Sequence, residues 1–361
     1  MRLGLLLYGS LDLLSGGFLY DRILVDYLRS RGDEVEIISL PWRSYPVSLL
    51  DNLSGSLRRR LRQARLDLLL QDELAHPSLV LLNYRLRRQV SYPLVAIVHH
   101  LRCREDHSPW RHRFYRWLEG RYLRSLDGQI CVSRTTRDDV ALLQGPRPRP
   151  QVVAYPGGDR LGSLSPEEIT ARTRRPGPLE VIFVGNLIPR KGLQVLLAAL
   201  SRLPRENWRL TVAGSLHADP SYTRTIMDRL TAGGLTDQVR LLGALSDAEL
   251  ADRLARSQVM AVPSSYEGLG IIYLEGMRFG LPALASTAGA AREVIDHGRN
   301  GFLLPPGDTA TLAHSLSRLM DRRVLLNMSL AARQRAETHP TWAQTVATIH
   351  RFLHKFPRLT S

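Results

Sequence analysis

Two carboxylates, Glu267 and Glu275, stand in SSYEGLGIIYLEGMRFGLPALAS, a glycine-rich and otherwise apolar stretch beginning at residue 264. Burying an acid without a partner is costly, so the pair asks for a ligand or a structural role. A carboxylate can accept hydrogen bonds from vicinal hydroxyls, as on a ribose or a hexose. The plainer alternative is one helix-capping acid and one surface acid. VMAVPSS reads as a strand, YEGLG as the loop at its carboxyl end, and IIYLEGMRFG as the start of a helix. Gly268 and Gly270 let the backbone approach a ligand closely with its N–H groups directed outward. A second cluster lies in FVGNLIPRKG, residues 183–192, where Gly185 permits a tight turn after a strand and Arg190-Lys191 lead into a helix. Adjacent cations at such a turn suit a diphosphate. A solvated basic helix start is the alternative. Of the 49 basic residues only Lys191 and Lys355 are lysines, which favours a site where a compact ammonium serves and a guanidinium fork does not.

These groups need a scaffold, and the hydrophobic pattern supplies one. In the first half LGLLLYG, EVEIISL, LVLLNY, PLVAIVHH, QICVS and VVAYP read as strands, with FLYDRILVDYLRSRG helix-like between the first two. The second half repeats the alternation with LEVIFVG, RLTVAGS, VRLLG, VMAVPSS and LPALAS. Strands alternating with helices predict parallel sheets covered on both faces, an α/β protein of two doubly wound, Rossmann-like domains. Ligands of such sheets bind outside the carboxyl ends of the strands. The predicted boundaries are residues 1–159 for the first domain, 160–178 for a Ser/Pro/Glu/Arg-rich linker, and 179–340 for the second domain. A C-terminal helix over 341–361 is expected to pack back towards the first domain.

The chain has 361 residues, 44% of them hydrophobic, enough for two cores. Its opening MRLGLLLYG is too short and too soon interrupted for a signal peptide, and no apolar run reaches membrane-spanning length. With two cysteines, Cys103 and Cys131, a reduced, cytoplasmic protein is expected. No two Asp are separated by a single residue and no clustered metal-ligand set is evident, so neither a metal nor another cofactor is expected. The net charge of +15 implies attraction to anionic partners. SLLDNLSGSLRRRLRQARLDLLLQDEL, residues 48–74, reads as a basic amphipathic helix carrying Arg58, Arg59, Arg60, Arg62 and Arg65. It is either a surface for an anionic membrane, on its cytoplasmic face, or a solvated helix in an Arg-biased chain. Nucleic acid is not expected, because no recognition motif or interleaved aromatics accompany the charge.

SSYEGLGIIYLEGMRFGLPALASTAGAAREVIDHGRNGFLLPPGD resembles the signature region of the retaining family 4 glycosyltransferases of the GT-B fold, including the spacing of their EX7E motif. FVGNLIPRKG resembles that family's phosphate-binding turn, and SGGFLYDRILVDYLRSRGDEVEI its glycine-rich entry. The resemblance implies two domains facing each other across a cleft, 1–159 on the acceptor side and 179–340 binding the nucleotide sugar, and a hexosyltransferase with a nucleotide-diphosphate sugar as donor. Arg190 and Lys191 would grip the diphosphate and Glu275 the ribose. Glu267, with the backbone of Gly268, Leu269 and Gly270, would face the donor sugar. Gly16 and Gly17 would approach the phosphate from the other domain. The family's strand-end histidine falls on His99, with His100 as the neighbouring alternative, and acts near the anomeric carbon. Retention through front-face departure and attack is implied, without a metal. The acceptor is expected to be a lipid, a lipid-linked sugar or a polysaccharide. Two departures stand out: Gly289-Ala290 replaces paired glycines, and Pro156-Gly157-Gly158-Asp159 replaces an Asn-Gly junction. The rival readings are an epimerase or phosphorylase on the same scaffold, and a non-catalytic nucleotide- or glycan-binding member.

Overall fold

The computed structural model describes residues 1–13 and 15–356. The chain divides into two compact units, one formed by Met1–Pro156 with the chain from Ala343 onward, the other by Gly157–Trp342. Each unit is built on a six-stranded sheet whose paired strands all run parallel.

In the first unit the strands are β1 (Arg2–Tyr8), β2 (Glu34–Leu40), β3 (Leu68–Asp72), β4 (Leu94–Val98), β5 (Gly128–Cys131) and β6 (Gln151–Val153). Their order, β2-β1-β3-β4-β5-β6, reverses direction at β1, so the switch point lies between β1 and β3. β3 and β4 are buried at every position, which is why LVAIV reads as an unbroken apolar run rather than an alternating one, while β3 also buries the polar Gln71 and Asp72. The helix Gly16–Ser30 follows β1, capped by Ser15, whose hydroxyl accepts from the Phe18 amide at 3.3 Å.

In the second unit the strands are β7 (Leu179–Val184), β8 (Trp208–Ala213), β9 (Val239–Leu241), β10 (Val259–Val262), β11 (Ala283–Ser286) and β12 (Gly301–Leu304). The order β12-β11-β10-β7-β8-β9 places the switch point between β7 and β10. The loops there are the two singled out by their chemistry, 185–192 and 263–270. In an open parallel sheet, the carboxyl ends of the strands at the reversal are where a ligand can reach between diverging loops.

Three expectations are corrected. Residues 48–74 do not form one helix: a 3-10 turn Leu49–Leu53 and a short helix Gly55–Gln63 precede β3. Arg58, Arg59, Arg60 and Arg62 ride on that helix, and Arg65 lies beyond it. The segment LVLLNY is no strand but parts of two helices, His76–Leu79 and Leu82–Leu86. Short apolar leucine runs carry no period that separates a buried strand from a buried helix, so β3 and LVLLNY exchanged roles. The stretch 160–178, expected as a linker, carries the helix Pro166–Arg174, opened by a Ser165–Glu168 capping box. Ile169 on it is fully buried, and Arg172 donates to the Gly280 carbonyl at 3.0 Å, so the helix belongs to the second unit.

The C-terminal helix Trp342–Leu353 rejoins the first unit. There the Phe352 and Phe356 rings fill the space that a side chain at Gly128 would need, and His350 lies 3.3 Å from Asp33. Residues 357–361 of the expected C-terminal segment lie outside the described residues.

Candidate functional site

The loop after β7 is shaped by close backbone packing. Gly185 donates its amide to Ala213 at 2.9 Å. Pro189–Lys191 forms a single 3-10 turn, and Gly192 ends it at φ 80°. A Cβ at Gly192 would sit 2.2 Å from the Pro263 carbonyl oxygen, so only glycine allows this loop to lie against the one after β10. The two loops are also joined by the Ser265 amide donating to the Arg190 carbonyl at 2.8 Å.

This packing brings residues 76 positions apart into one ionic cluster. Lys191 Nζ donates to Glu267 Oε1 at 2.5 Å, and the Ser264 hydroxyl donates to the same oxygen at 2.7 Å. Arg190 Nη1 donates to the Tyr266 carbonyl at 2.7 Å and lies 3.8 Å from Glu267 Oε1. Burial opposes the charge on Glu267, but Lys191 and Arg190 beside it prevail and hold the carboxyl at about 2. Glu267 is therefore ionised at neutral pH and has no proton to give. Its carbonyl accepts from the Ala290 amide at 3.0 Å, and a Cβ at Gly289 would come within 2.0 Å of that oxygen. The departure noted at this pair thus keeps glycine at the one position that needs it, while Ala290 is buried.

From Glu267 the chain passes Gly268, buried Leu269 and Gly270 into the helix Ile271–Arg278. Gly270 stands just before the first turn at φ 84°, where a Cβ would strike the Tyr273 ring at 2.4 Å. Glu275, in the second turn, is only 3% exposed and has a different partner from Glu267. Arg160 Nε donates to its Oε1 at 2.9 Å, and Arg160 also pairs with Asp247. Burial drives the Glu275 carboxyl up, to about 7, against the pull of Arg160. The junction residues fix this arrangement. A Cβ at Gly158 would meet Leu274 at 2.7 Å, and one at Gly157 would meet the Trp342 amide at 2.3 Å. Asp159 accepts from that amide at 2.8 Å.

The first unit carries Gly16, Gly17 and His99. The two glycines form the first turn of the Gly16–Ser30 helix, and Gly17 faces the His99 ring, which would stand 3.2 Å from a Cβ there. His99 follows β4. Its Nε2 lies 3.3 Å from Oδ1 of fully buried Asp21, neither of whose carboxylate oxygens has a hydrogen bond. Burial disfavours the imidazolium, yet Asp21, Asp72 and Glu73 together raise His99 to about 9. Burial in turn pushes Asp72 upward and Glu73 to about 7. His100 is differently placed: its Nε2 pairs with Glu105 at 2.9 Å in a half-buried setting. Contrary to the expectation of no clustered ligand set, Asp21, Asp72 and His99 hold ligand-type atoms within 4.8 Å of one another, as do Glu73, His76 and Glu119. In the second group Glu119 already accepts from the Arg102 and Cys103 amides, and His76 is tied to the Glu73 carbonyl and the Tyr45 hydroxyl.

With this geometry in view, residues 165–339 match the family described as glycosyl transferases group 1, and residues 20–157 match the glycosyl transferase 4-like domain. The chain belongs to the glycosyl transferases group 1 family. It is 28% identical to the phosphatidyl-myo-inositol mannosyltransferase of Mycobacterium leprae, over 97% of this chain and 96% of that one. It is 30% identical to glycogen synthase of Mycobacterium tuberculosis over 76% of this chain, spanning 64% of that relative's length. Among solved structures, sucrose-phosphate synthase from Thermosynechococcus elongatus superposes with a TM-score of 0.82 at 19% identity, covering 98% of both chains. Anabaena HepE in complex with UDP and glucose superposes with a TM-score of 0.77 at 22% identity, covering 99% of this chain and all of that one. The fold is thus GT-B, with its two Rossmann-like units.

Within this family member, the sequence-derived residues Gly185, Arg190, Lys191, Glu267, Gly268, Leu269 and Gly270 fall on the two loops at the switch point of the second unit. Glu275 lies one helix turn onward, in its own ion pair. Sequence reasoning missed Arg160, Asp247, Asp21 and Asp72. Arg160 sits just after the PGGD junction, and that position was the available signal.

Proposed function

We propose that this chain is a retaining glycosyltransferase that moves a hexosyl group from a nucleoside-diphosphate sugar to a lipid, lipid-linked sugar or polysaccharide acceptor, without a metal ion. The observation that carries the reading is the cluster of Lys191, Arg190 and Glu267 at the carboxyl ends of β7 and β10. An ammonium has three protons to donate. Glu267 takes one and orients the group, and the others serve the diphosphate. The bond between the anomeric carbon and the phosphate oxygen breaks as the acceptor oxygen attacks from the same face. The acceptor's proton passes to the departing phosphate oxygen. Negative charge grows on that phosphate, and fixed cations with backbone amides stabilise it without reorganising. Glu267, ionised and anchored by Lys191 and Ser264, orients the donor sugar rather than attacking it.

Glu275 is assigned the ribose hydroxyls, with Arg160 holding its carboxylate in place, and His99 is assigned the donor sugar. UDP is the first nucleotide to test, since HepE is a fold neighbour solved with it. The relatives' names supply the acceptor classes, a lipid in one case and a polysaccharide in another. Among the described residues no helix is long and apolar enough to cross a membrane. A lipid acceptor would then be met at the cytoplasmic surface of the bilayer, with the Arg58–Arg62 helix as one electrostatic contact.

Calorimetry with UDP and a panel of nucleotide sugars tests the donor site. Acceptor-dependent release of nucleoside diphosphate separates transfer from epimerisation and from mere binding. Failure of any nucleoside diphosphate to bind would end the proposal.

A further inference from the structure

Of the twelve large hydrophobic side chains that are exposed among the described residues, eleven belong to the first unit and only Met227 to the second. Three of the eleven lie on one helix, Pro109–Arg124: Trp110 is 66% exposed, Phe114 37% and Trp117 57%. At 3.6 residues per turn these positions fall within about 60° of one another. They form a single aromatic stripe. The side of the helix that packs inward is different, made by Tyr115, Leu118, Tyr122 and Leu123. The stripe is therefore surplus to the core, and rings of this size are rarely left in water without purpose.

The exposed formal charge on the helix itself has one sign. The helix carries Arg111, Arg113, Arg116, Arg121 and Arg124, and the Arg111 guanidinium lies over the Trp110 ring at 5.2 Å. Its one carboxylate, Glu119, is buried and accepts from the Arg102 and Cys103 amides at 2.6 and 3.0 Å. A neighbouring segment adds more apolar surface. Tyr45 packs on Tyr115 with centroids 5.0 Å apart, and the 3-10 turn close behind Tyr45 exposes Leu50 and Leu53. The Gly55–Gln63 helix with its arginines comes next in the chain.

We propose that the Pro109–Arg124 helix is the element that enters an anionic lipid bilayer, with Trp110, Phe114 and Trp117 inserted at the interface and the flanking arginines on lipid phosphates. Trp favours the headgroup boundary because its ring is apolar and its N–H is wet. Arginine stems lie along the apolar zone while their heads reach phosphate. Anionic lipid, rather than a protein surface, fits a stripe ringed by cations with no exposed acid on the helix to pair across an interface. The inference rests on the lipid-acceptor form of the proposed function. It goes further by assigning insertion to this helix and leaving the Arg58–Arg62 helix an electrostatic flank.

The test uses the full chain and vesicles without donor or acceptor, so its outcome is separate from that of nucleotide binding. Vesicles of phosphatidylcholine, with or without phosphatidylglycerol, carry brominated acyl chains that quench tryptophan. Trp208 and Trp342 are buried and silent, so quenching reports Trp110, Trp117 and exposed Trp42. Quenching is expected on anionic vesicles only, retained in Trp42→Ser and lost in Trp110→Ser/Trp117→Ser. The double variant should bind these vesicles about tenfold more weakly, with thermal midpoint and UDP affinity unchanged. Arg113→Glu/Arg116→Glu, which keeps the rings, should also weaken binding. Equal binding to neutral vesicles would overturn the proposal, as would undiminished binding by the double variant. So would a dimer in sedimentation that the double variant dissolves, since the stripe would then join two copies of this chain.

Discussion

Arg160 and Glu275, 115 residues apart, meet in an ion pair whose carboxylate is almost wholly buried, with Arg160 Nε 2.9 Å from Oε1. Burial alone makes that carboxylate reluctant to ionise, and Arg160 is the group that opposes it. Replacing the arginine by alanine should therefore protonate Glu275 over a wider pH range. Nucleoside diphosphate affinity in Arg160→Ala is expected to be reduced already at pH 8 and to change less between pH 8 and 6 than in the wild type, whose Glu275 titrates at about 7. Calorimetry at both ends of that range checks it, and parallel pH profiles would remove Arg160 from its positioning role.

Lys191 and Glu267 form the second pair, and its energetics are separable from its binding role. Lys191→Ala strips Glu267 of its nearest cation. The expected loss is about 2–3 kcal/mol, below that of a fully buried pair because both groups keep some solvent contact. Adding Glu267→Gln should restore most of that stability, while UDP affinity stays at least about tenfold down, the worth of one lost charged hydrogen bond. Chemical denaturation and calorimetry on the two variants resolve the terms. Recovery of binding along with stability would mean that Lys191 acts only on Glu267.

Asp21 governs the charge of His99. In Asp21→Asn the imidazole should titrate well below its native value of about 9, because the largest favourable interaction is removed and burial now dominates. An NMR titration of His99 gives the number directly. The alkaline limb of the transfer rate should move in the same direction, a shift that a purely structural defect would not produce.

Stability should peak on the acid side of neutrality. Glu73, Glu119 and Glu275 titrate near 7 in the native state, above their ordinary range, so the native chain holds extra protons and loses stability as pH rises towards 7. His99, raised to about 9, extends the decline above pH 6.5. His76, lowered by burial, opposes one of these. Glu267, held at about 2, acts oppositely and costs stability as pH falls below its unfolded value of 4.5. The thermal midpoint is thus expected to be highest at about pH 5 and to fall on both sides. A midpoint still rising from pH 5 to 8 would contradict these native-state charges.

Transfer should persist in excess chelator. The cations assigned to the leaving phosphate are Arg190 and Lys191, and neither is removed by EDTA. Rates measured with EDTA and with added Mg²⁺ should agree, and a fall in EDTA would transfer the role to a metal.

The strand-loop-helix order around Glu267 and Glu275, the turn before Arg190 and Lys191, and the doubly wound pattern were legible because each depends on residues close in the chain. Periodicity and glycine placement are local properties, so a linear reading captures them. The swap between β3 and LVLLNY shows the limit of that reading, since two short leucine runs look alike until strand pairing assigns one to the sheet centre. Arg160 on Glu275, Asp21 and Asp72 about His99, and the contact of Lys191 with Glu267 join segments between 27 and 115 residues apart. Only the order of strands in each sheet brings them together. Likewise the sequence displays Trp110, Phe114 and Trp117 at helical spacing, but which side of their helix the core claims is decided by packing, and packing leaves these three in water.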